Sequence, residues 1–221
     1  MVGKVSVTTI QTNVLVTNCS KKTPLQANDV TRVNFVQTID VNDYDVIIVG
    51  QGIAGTWLSY YLLQQQQRVL VIDDAQANAA SRVASGVINP VTGRQVVTTW
   101  LADTLLPHAH HAYTALGSLL NIPILNDKGI VAFPPSLQMK TAYEQKFTAE
   151  PNYVTAVSML DTYASWFHFQ YGAVQIQPAF LLHLPAMLTG WRTYLDSQNA
   201  LLPAAFHEND LLLTPNGIQY Q

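Results

Sequence analysis

Apolar and polar positions sort most sharply between residues 44 and 74. Val46-Ile47-Ile48-Val49 is a β-branched run, short enough for a strand buried on both faces of a parallel sheet. It breaks directly into glycines and then into helical spacing. Ala54, Leu58, Tyr61 and Leu62 repeat at i, i+4, i+7 and i+8, which predicts a helix laying one apolar stripe on that sheet. Gln64-Gln65-Gln66-Gln67 offers no glycine for a left-handed C-cap, so the helix must stop by another route. A second run, Val69-Leu70-Val71-Ile72, follows and ends on Asp73-Asp74. Strand, glycine turn, helix, strand and terminal acid make a βαβ unit.

On either side the pattern is coarser. Residues 1–43 read as a poorly defined extension, with Val5 to Val7 and Asn13 to Val16 as candidate strands and turn chemistry at Ser20 to Pro24 and Asn28-Asp29. From Ala75 to Arg94 the chain is small, polar and punctuated by glycine, which is loop chemistry. A helical stretch runs from Thr98 to Leu120, with Pro107 as a kink or the first turn of a second helix. Gly129 to Phe133 reads as a strand stopped by Pro134-Pro135, and Ser136 to Ala149 as a helix capped by Ser136. Trp166 to Phe169 and Gly172 to Ile176 look like an antiparallel pair. Pro178 opens a helix to about Ser197, with Leu181, Leu182, Leu184, Met187, Leu188 and Trp191 on its buried side. A last hairpin forms around Pro215-Asn216.

Composition narrows the class. With 221 residues, 48% of them hydrophobic, the chain can bury a substantial core. Charged residues are only 11%, against ~25% in a typical soluble domain. A net charge of −3 supplies no electrostatic reason to bind nucleic acid or an anionic membrane. Cys19 is the sole cysteine, which excludes an intrachain disulfide and suits a reducing compartment. No run approaches the ~20 consecutive apolar residues of a membrane span, and neither a signal h-region nor a lipobox at Val16 to Cys19 is convincing. A cytoplasmic location is expected.

The chemistry is carried by Gly50-Gln51-Gly52-Ile53-Ala54-Gly55. In such a turn the first glycine allows the bend, the second lets backbone approach a pyrophosphate, and the third lets the helix pack closely on the strand. The helix N-terminus then presents unpaired N–H groups and a partial positive charge to the phosphates. Asp73 follows roughly 20 residues on, where an acid hydrogen-bonds a ribose hydroxyl and repels a 2′-phosphate. The pattern predicts a dinucleotide site; a glycine turn in an ordinary α/β fold would not account for the acid.

The stretch Asp45 to Arg94, with its glycine turn, its Val-Leu-Val-Ile-Asp strand end and the loop Ala80-Ser81-Arg82-Val83-Ala84-Ser85-Gly86-Val87-Ile88-Asn89-Pro90, resembles FAD-dependent oxidoreductases of the D-amino-acid oxidase and glycine oxidase type, in particular an uncharacterised bacterial branch found in Bacteroidetes. The resemblance implies a Rossmann-like α/β domain at 44–125 and part of a mixed α+β substrate domain at 126–221, incomplete at its C-terminus. It implies FAD as cofactor. Gly50, Gly52, Ile53, Ala54 and Gly55 would face the pyrophosphate, Asp73 with Asp74 the adenosine ribose, Ser81, Ser85 and Gly86 the pyrophosphate and ribityl chain, and Asn89 and Pro90 the isoalloxazine. The activity implied is oxidation of an amine or amino-acid C–N bond by hydride transfer to flavin, which requires no catalytic base. The partner is a small-molecule substrate, with the oligomeric state left open. Arg94 is a candidate for pairing a substrate carboxylate and Tyr171 for lining the pocket. Family members are considerably longer, so the chain reads as an N-terminal portion.

Two alternatives stay open. An NAD-dependent dehydrogenase would use Asp73 equally well but has no role for the Ser-Gly-Asn-Pro loop. The other is a non-catalytic fragment, or a subunit completed by another polypeptide. His108 and His111 share a helical face, yet no acid or thiol stands near them in sequence, and no metal is expected.

Overall fold

The computed structural model describes residues 4–7, 42–157, 160–215 and 217–220. Asn13 to Val16, Cys19 and the expected turns before residue 42 lie outside these. In chain order the elements begin with β1 (Lys4–Val7), β2 (Asn42–Tyr44), β3 (Val46–Val49), α1 (Ile53–Gln64) and β4 (Val69–Ile72). Then come α2 (Ala80–Val83), β5 (Val87–Ile88), β6 (Val91–Thr92), β7 (Val97–Thr98), α3 (Ala102–Leu120), β8 (Leu125–Asn126) and β9 (Ile130–Ala132). The rest are α4 (Leu137–Ala149), β10 (Val154–Ala156), α5 (Leu160–Ala164), β11 (Val174–Ile176), β12 (Phe180–Leu182), α6 (Leu184–Ser197), β13 (Leu201–Leu202), a short 3-10 turn, β14 (Leu211–Thr214) and β15 (Gly217–Tyr220).

The βαβ unit forms as its pattern predicts, with β3 parallel to β4 from Val46↔Val69 to Val49↔Ile72. The sheet has the order β13-β4-β3, and β13 also runs parallel to β4. That third strand and α6 before it come from the far end of the stretch expected to form the substrate half. Sheet order corrects one expectation: the strand buried on both faces is β4, whereas β3 is at the edge among the described strands and its Val49 is 55% exposed. Val69 and Val71 of β4 pack against the layer of α3 and α6 through Leu116, Met187, Leu188 and Trp191. Leu70 and Ile72 point the other way, onto Tyr220. Period-two alternation thus places each half of β4 in a different core.

Helix α1 turns a different face inward from the one its apolar spacing suggested. Leu58 is 50% exposed and Tyr61 39%, and the buried positions are Gly55, Thr56, Ser59 and Tyr60. Small polar residues win here because each hydroxyl finds a partner. Ser59 Oγ donates to Gly55 O at 2.7 Å and accepts from Trp191 Nε1 at 2.8 Å, so α6 can lie close on α1 without an orphaned buried polar group.

The route by which α1 ends is a left-handed turn at Gln66, φ 61°. Gln67 N donates to Leu62 O at 3.0 Å and Gln66 N to Leu63 O at 3.0 Å, the pairing of a Schellman cap with glutamine where glycine is usual. Gln66→Gly is expected to stabilise the fold by about 0.5–1 kcal/mol, read as a higher denaturation midpoint. An unchanged or lower midpoint would contradict that account.

Other expectations shift for local reasons. The 75–94 loop contains α2, β5 and β6. Helix α3 starts at Ala102 rather than Thr98 and continues past Pro107, which forgoes only the bond to the Asp103 carbonyl. Trp166 to Phe169 do not form a strand; β11 pairs instead with β9 and β10, and Phe169 stacks on Phe133 at 5.0 Å. Residues after Pro178 form β12, paired with β5 and β8, with Leu181 exposed. Helix α6 begins only at Leu184, where Pro185 in the first turn loses no bond and His183 Nδ1 accepts from Ala186 N at 3.3 Å. The hairpin β14–β15 forms as expected, and β15 pairs in parallel with β1, which ties the start of the described chain to its end. Among the described residues no helix is long and apolar enough to cross a membrane.

Candidate nucleotide site

The turn between β3 and α1 opens at the C-terminal edge of the parallel sheet, where ligands bind in open α/β folds. Gly50 sits at φ 91°, a conformation that favours glycine, and its N–H donates to Ile72 O at 2.8 Å. Gly55 is required for packing: a Cβ there would stand 2.0 Å from Gly50 O. Gly52 is the N-cap of α1 and offers no side chain to the N–H groups of Ala54 and Gly55. A Cβ on Gly52 would stand 3.0 Å from Ser81 Oγ, because Ser81 from α2 closes that seam and accepts from Ile53 N at 3.0 Å. Two segments separated by 28 residues therefore meet at the helix N-terminus.

Asp73 faces the same bend. Its Oδ2 accepts from Gln51 N at 2.9 Å, and its Oδ1 accepts from Ala75 N at 2.9 Å and from Arg192 Nη1 at 2.6 Å. Arg192 Nη2 also donates to Asp73 O at 2.9 Å. Burial alone would raise the pKa of Asp73. The N–H groups of Gln51 and Ala75 and the Arg192 guanidinium outweigh it and hold the carboxyl below its ordinary value. Asp74 is exposed and accepts from Gln76 Nε2 at 2.9 Å.

Beyond this cluster the candidates spread out. Ser85 lines a 700 Å³ groove together with Pro123, Leu125, Lys128 and Leu181. Gly86, φ 73°, packs on β12, where its carbonyl accepts from Leu182 N at 2.9 Å and a Cβ would stand 2.2 Å from Leu182 O. Asn89 Oδ1 accepts from Val91 N at 3.0 Å, and Pro90 O accepts from Thr99 N at 2.7 Å, so both shape the turn into β6. Arg94 is exposed in the β6–β7 turn, and Tyr171 is half-buried ahead of β11. His110 meets an acid that sequence distance concealed: Nε2 lies 3.4 Å from Oδ2 of Asp127. Among the described residues no three His, Cys, Asp or Glu side chains converge on a metal position.

Two groups at the site, one buried and one partly buried, escaped sequence reasoning. Gln51 is 1% exposed; its Nε2 donates to Leu188 O at 2.9 Å, a bond that joins the glycine turn to α6. Arg192 reaches Asp73 across 119 residues. A turn glutamine and a helical arginine carry no periodic signal of such contacts. The Nη2 of Arg82, the residue after Ser81, is buried with no acceptor among the described residues.

A parallel sheet, a glycine-cradled helix N-terminus and an acid at the end of the second strand define a dinucleotide-binding α/β protein. The FAD dependent oxidoreductase (DAO) family profile matches residues 45–170, and the chain belongs to that family. Similar solved structures include glycine oxidase from Geobacillus kaustophilus, at 18% identity and a TM-score of 0.59, covering 80% of this chain and 53% of that one. Glycine oxidase from Bacillus cereus shares 16% identity with a TM-score of 0.55, covering 80% of this chain and 54% of that one. L-amino acid deaminase from Proteus myxofaciens, solved in complex with anthranilate, shares 14% identity with a TM-score of 0.55, covering 80% of this chain and 43% of that one. At these identities the likeness is one of fold, and the chain spans about half the length of the solved relatives. No curated protein sequence matches it.

Proposed function

We propose that residues 44–125, joined by α6 and β13, bind the ADP half of FAD within a flavoenzyme that oxidises an amine or amino acid. The observation that carries the reading is the Asp73 carboxylate turned onto the glycine bend, 2.9 Å from Gln51 N. The residues present fit the cofactor. A carboxylate has about four acceptor positions, and Gln51, Ala75 and Arg192 take three, which leaves one on Oδ2 for a ribose hydroxyl. Among the described residues the buried Arg82 Nη2 has no acceptor, and a pyrophosphate oxygen would supply one.

In this reading the N–H groups of Ala54 and Gly55, beside side-chain-free Gly52, and the Ser81 hydroxyl hold the pyrophosphate, Ile53 N being taken by Ser81 Oγ, and Asp73 orients the adenosine by one hydrogen bond. When bound, FAD supplies the electron acceptor for oxidation of a C–N bond. The residues of this chain bind and orient it. The substrate class is supported by the amino-acid oxidases and deaminase that share the fold.

The test is titration of the chain with FAD, followed by quenching of flavin fluorescence. Wild type is expected to bind saturably and Gly52→Asp to lose at least about tenfold in affinity, because a carboxylate would enter the seam beside Ser81 and oppose the phosphates. Equal responses from the two proteins would remove the assignment. Saturation by NAD instead would move it to a nicotinamide-dependent enzyme.

A further inference from the structure

We propose that Arg192 is a positioning residue for the nucleotide site, holding Asp73 so that one carboxylate oxygen is turned to the glycine bend with an acceptor position open to a ribose hydroxyl. The inference rests on the FAD reading above and extends it to a residue outside the βαβ unit. Arg192 grips Asp73 at two points, the side-chain Oδ1 and the backbone carbonyl. Both ends are largely covered, with side chains 20% and 16% exposed, so the pair is less screened than a surface salt bridge.

A two-point grip fixes rotation as well as charge. With Oδ1 tied to Arg192 and Ala75, Oδ2 is directed at Gln51 N, and the open acceptor position lies on that oxygen. Nη1 and Nη2 each commit one N–H to Asp73, so the guanidinium is anchored by two of its five donors.

Helix α6 carries this contact together with two others. Leu188 O accepts from Gln51 Nε2, and Trp191 Nε1 donates to Ser59 Oγ. Positions 188, 191 and 192 share one helical face, so α6 reaches the turn, α1 and the ribose acid at once. Among the described residues no other charge duplicates Arg192. Asp74 pairs with Gln76, the turn and β13 meet Asp73 through the backbone of Gln51 and Leu202, and Arg82 of α2 forms no ion pair with it.

The experiment compares FAD affinity from about pH 8 to about pH 5 for wild type, Arg192→Gln and Arg192→Lys, after confirming folding by circular dichroism. Wild-type affinity should stay nearly flat. Arg192→Gln should bind about tenfold more weakly at neutral pH and weaken further at the acid end of the range, as Asp73, without the guanidinium, takes up a proton more readily. Arg192→Lys keeps the charge without the fork and should fall between them. In the cofactor-free chain, the Asp73 carboxyl titration followed by carbon-13 NMR should move to higher pH in Arg192→Gln, a shift that a purely structural contact elsewhere would not produce.

Folded variants with wild-type affinity and a flat profile would overturn the proposal, as would an unmoved Asp73 titration. If Arg192→Gln fails to fold, Arg192→Lys is decisive by the same two readouts. A wild type that responds to FAD no better than Gly52→Asp defeats the flavin reading separately. The cofactor-free titration then decides the Arg192–Asp73 hold, a raised midpoint supporting it and an unmoved one overturning it.

Discussion

Gly55→Ala is expected to destabilise the protein by about 3 kcal/mol or more and to abolish saturable FAD binding. The added methyl would stand 2.0 Å from Gly50 O, 3.1 Å from Gly50 C and 3.5 Å from Ile48 Cγ2. The first two atoms are backbone, so no rotamer change relieves the clash. Either α1 lifts off β3 or the turn at Gly50 moves, and both displace the N–H groups at the start of α1. Chemical denaturation with FAD titration of the same samples checks it. A variant within 1 kcal/mol of wild type would mean that helix and turn are not as closely packed as described.

Trp191→Ala should cost about 3–5 kcal/mol. Trp191 is 1% exposed, among the largest fully buried side chains, and lies between Tyr60 at 5.6 Å and a stacked Tyr194 at 4.8 Å. Its indole N–H satisfies Ser59 on α1, so truncation leaves a cavity and also removes a buried hydrogen bond. Trp191→Phe retains most of the volume and loses the donor, and should cost about 1–2 kcal/mol. Urea unfolding of the two variants separates packing from hydrogen bonding. Equal losses would show that the cavity contributes little.

Prediction from sequence succeeded where neighbours in sequence are neighbours in space. The β-branched run, the glycines and Asp73 belong to one βαβ unit, whose strands pair because a single helix returns the chain beside itself. Ser136 capped its helix as expected, by accepting from Met139 N at 3.3 Å, since a cap is a contact across three residues. Failures came where a local pattern met a distant competitor. The leucines after Pro178 have helical spacing, yet Phe180 to Leu182 pair with β5 and β8, strands contributed from 87–88 and 125–126. The stripe on α1 failed for the related reason that Trp191, 132 residues away from Ser59, supplied a hydrogen-bond partner for the polar face. The same distance hid Asp127 from His110.

The sequence by itself determined the glycine turn, the acid that follows it and the family, because these depend on backbone freedom at glycine and on contacts within one βαβ unit. Tertiary structure alone decided that β3 would be an edge and β4 the buried strand, that β13 would complete the parallel sheet, and that Arg192 and Gln51 would be fastened to the site. Those outcomes depend on which distant element offers a charge, a carbonyl or an apolar face at the right place, and one-dimensional spacing carries no record of that offer.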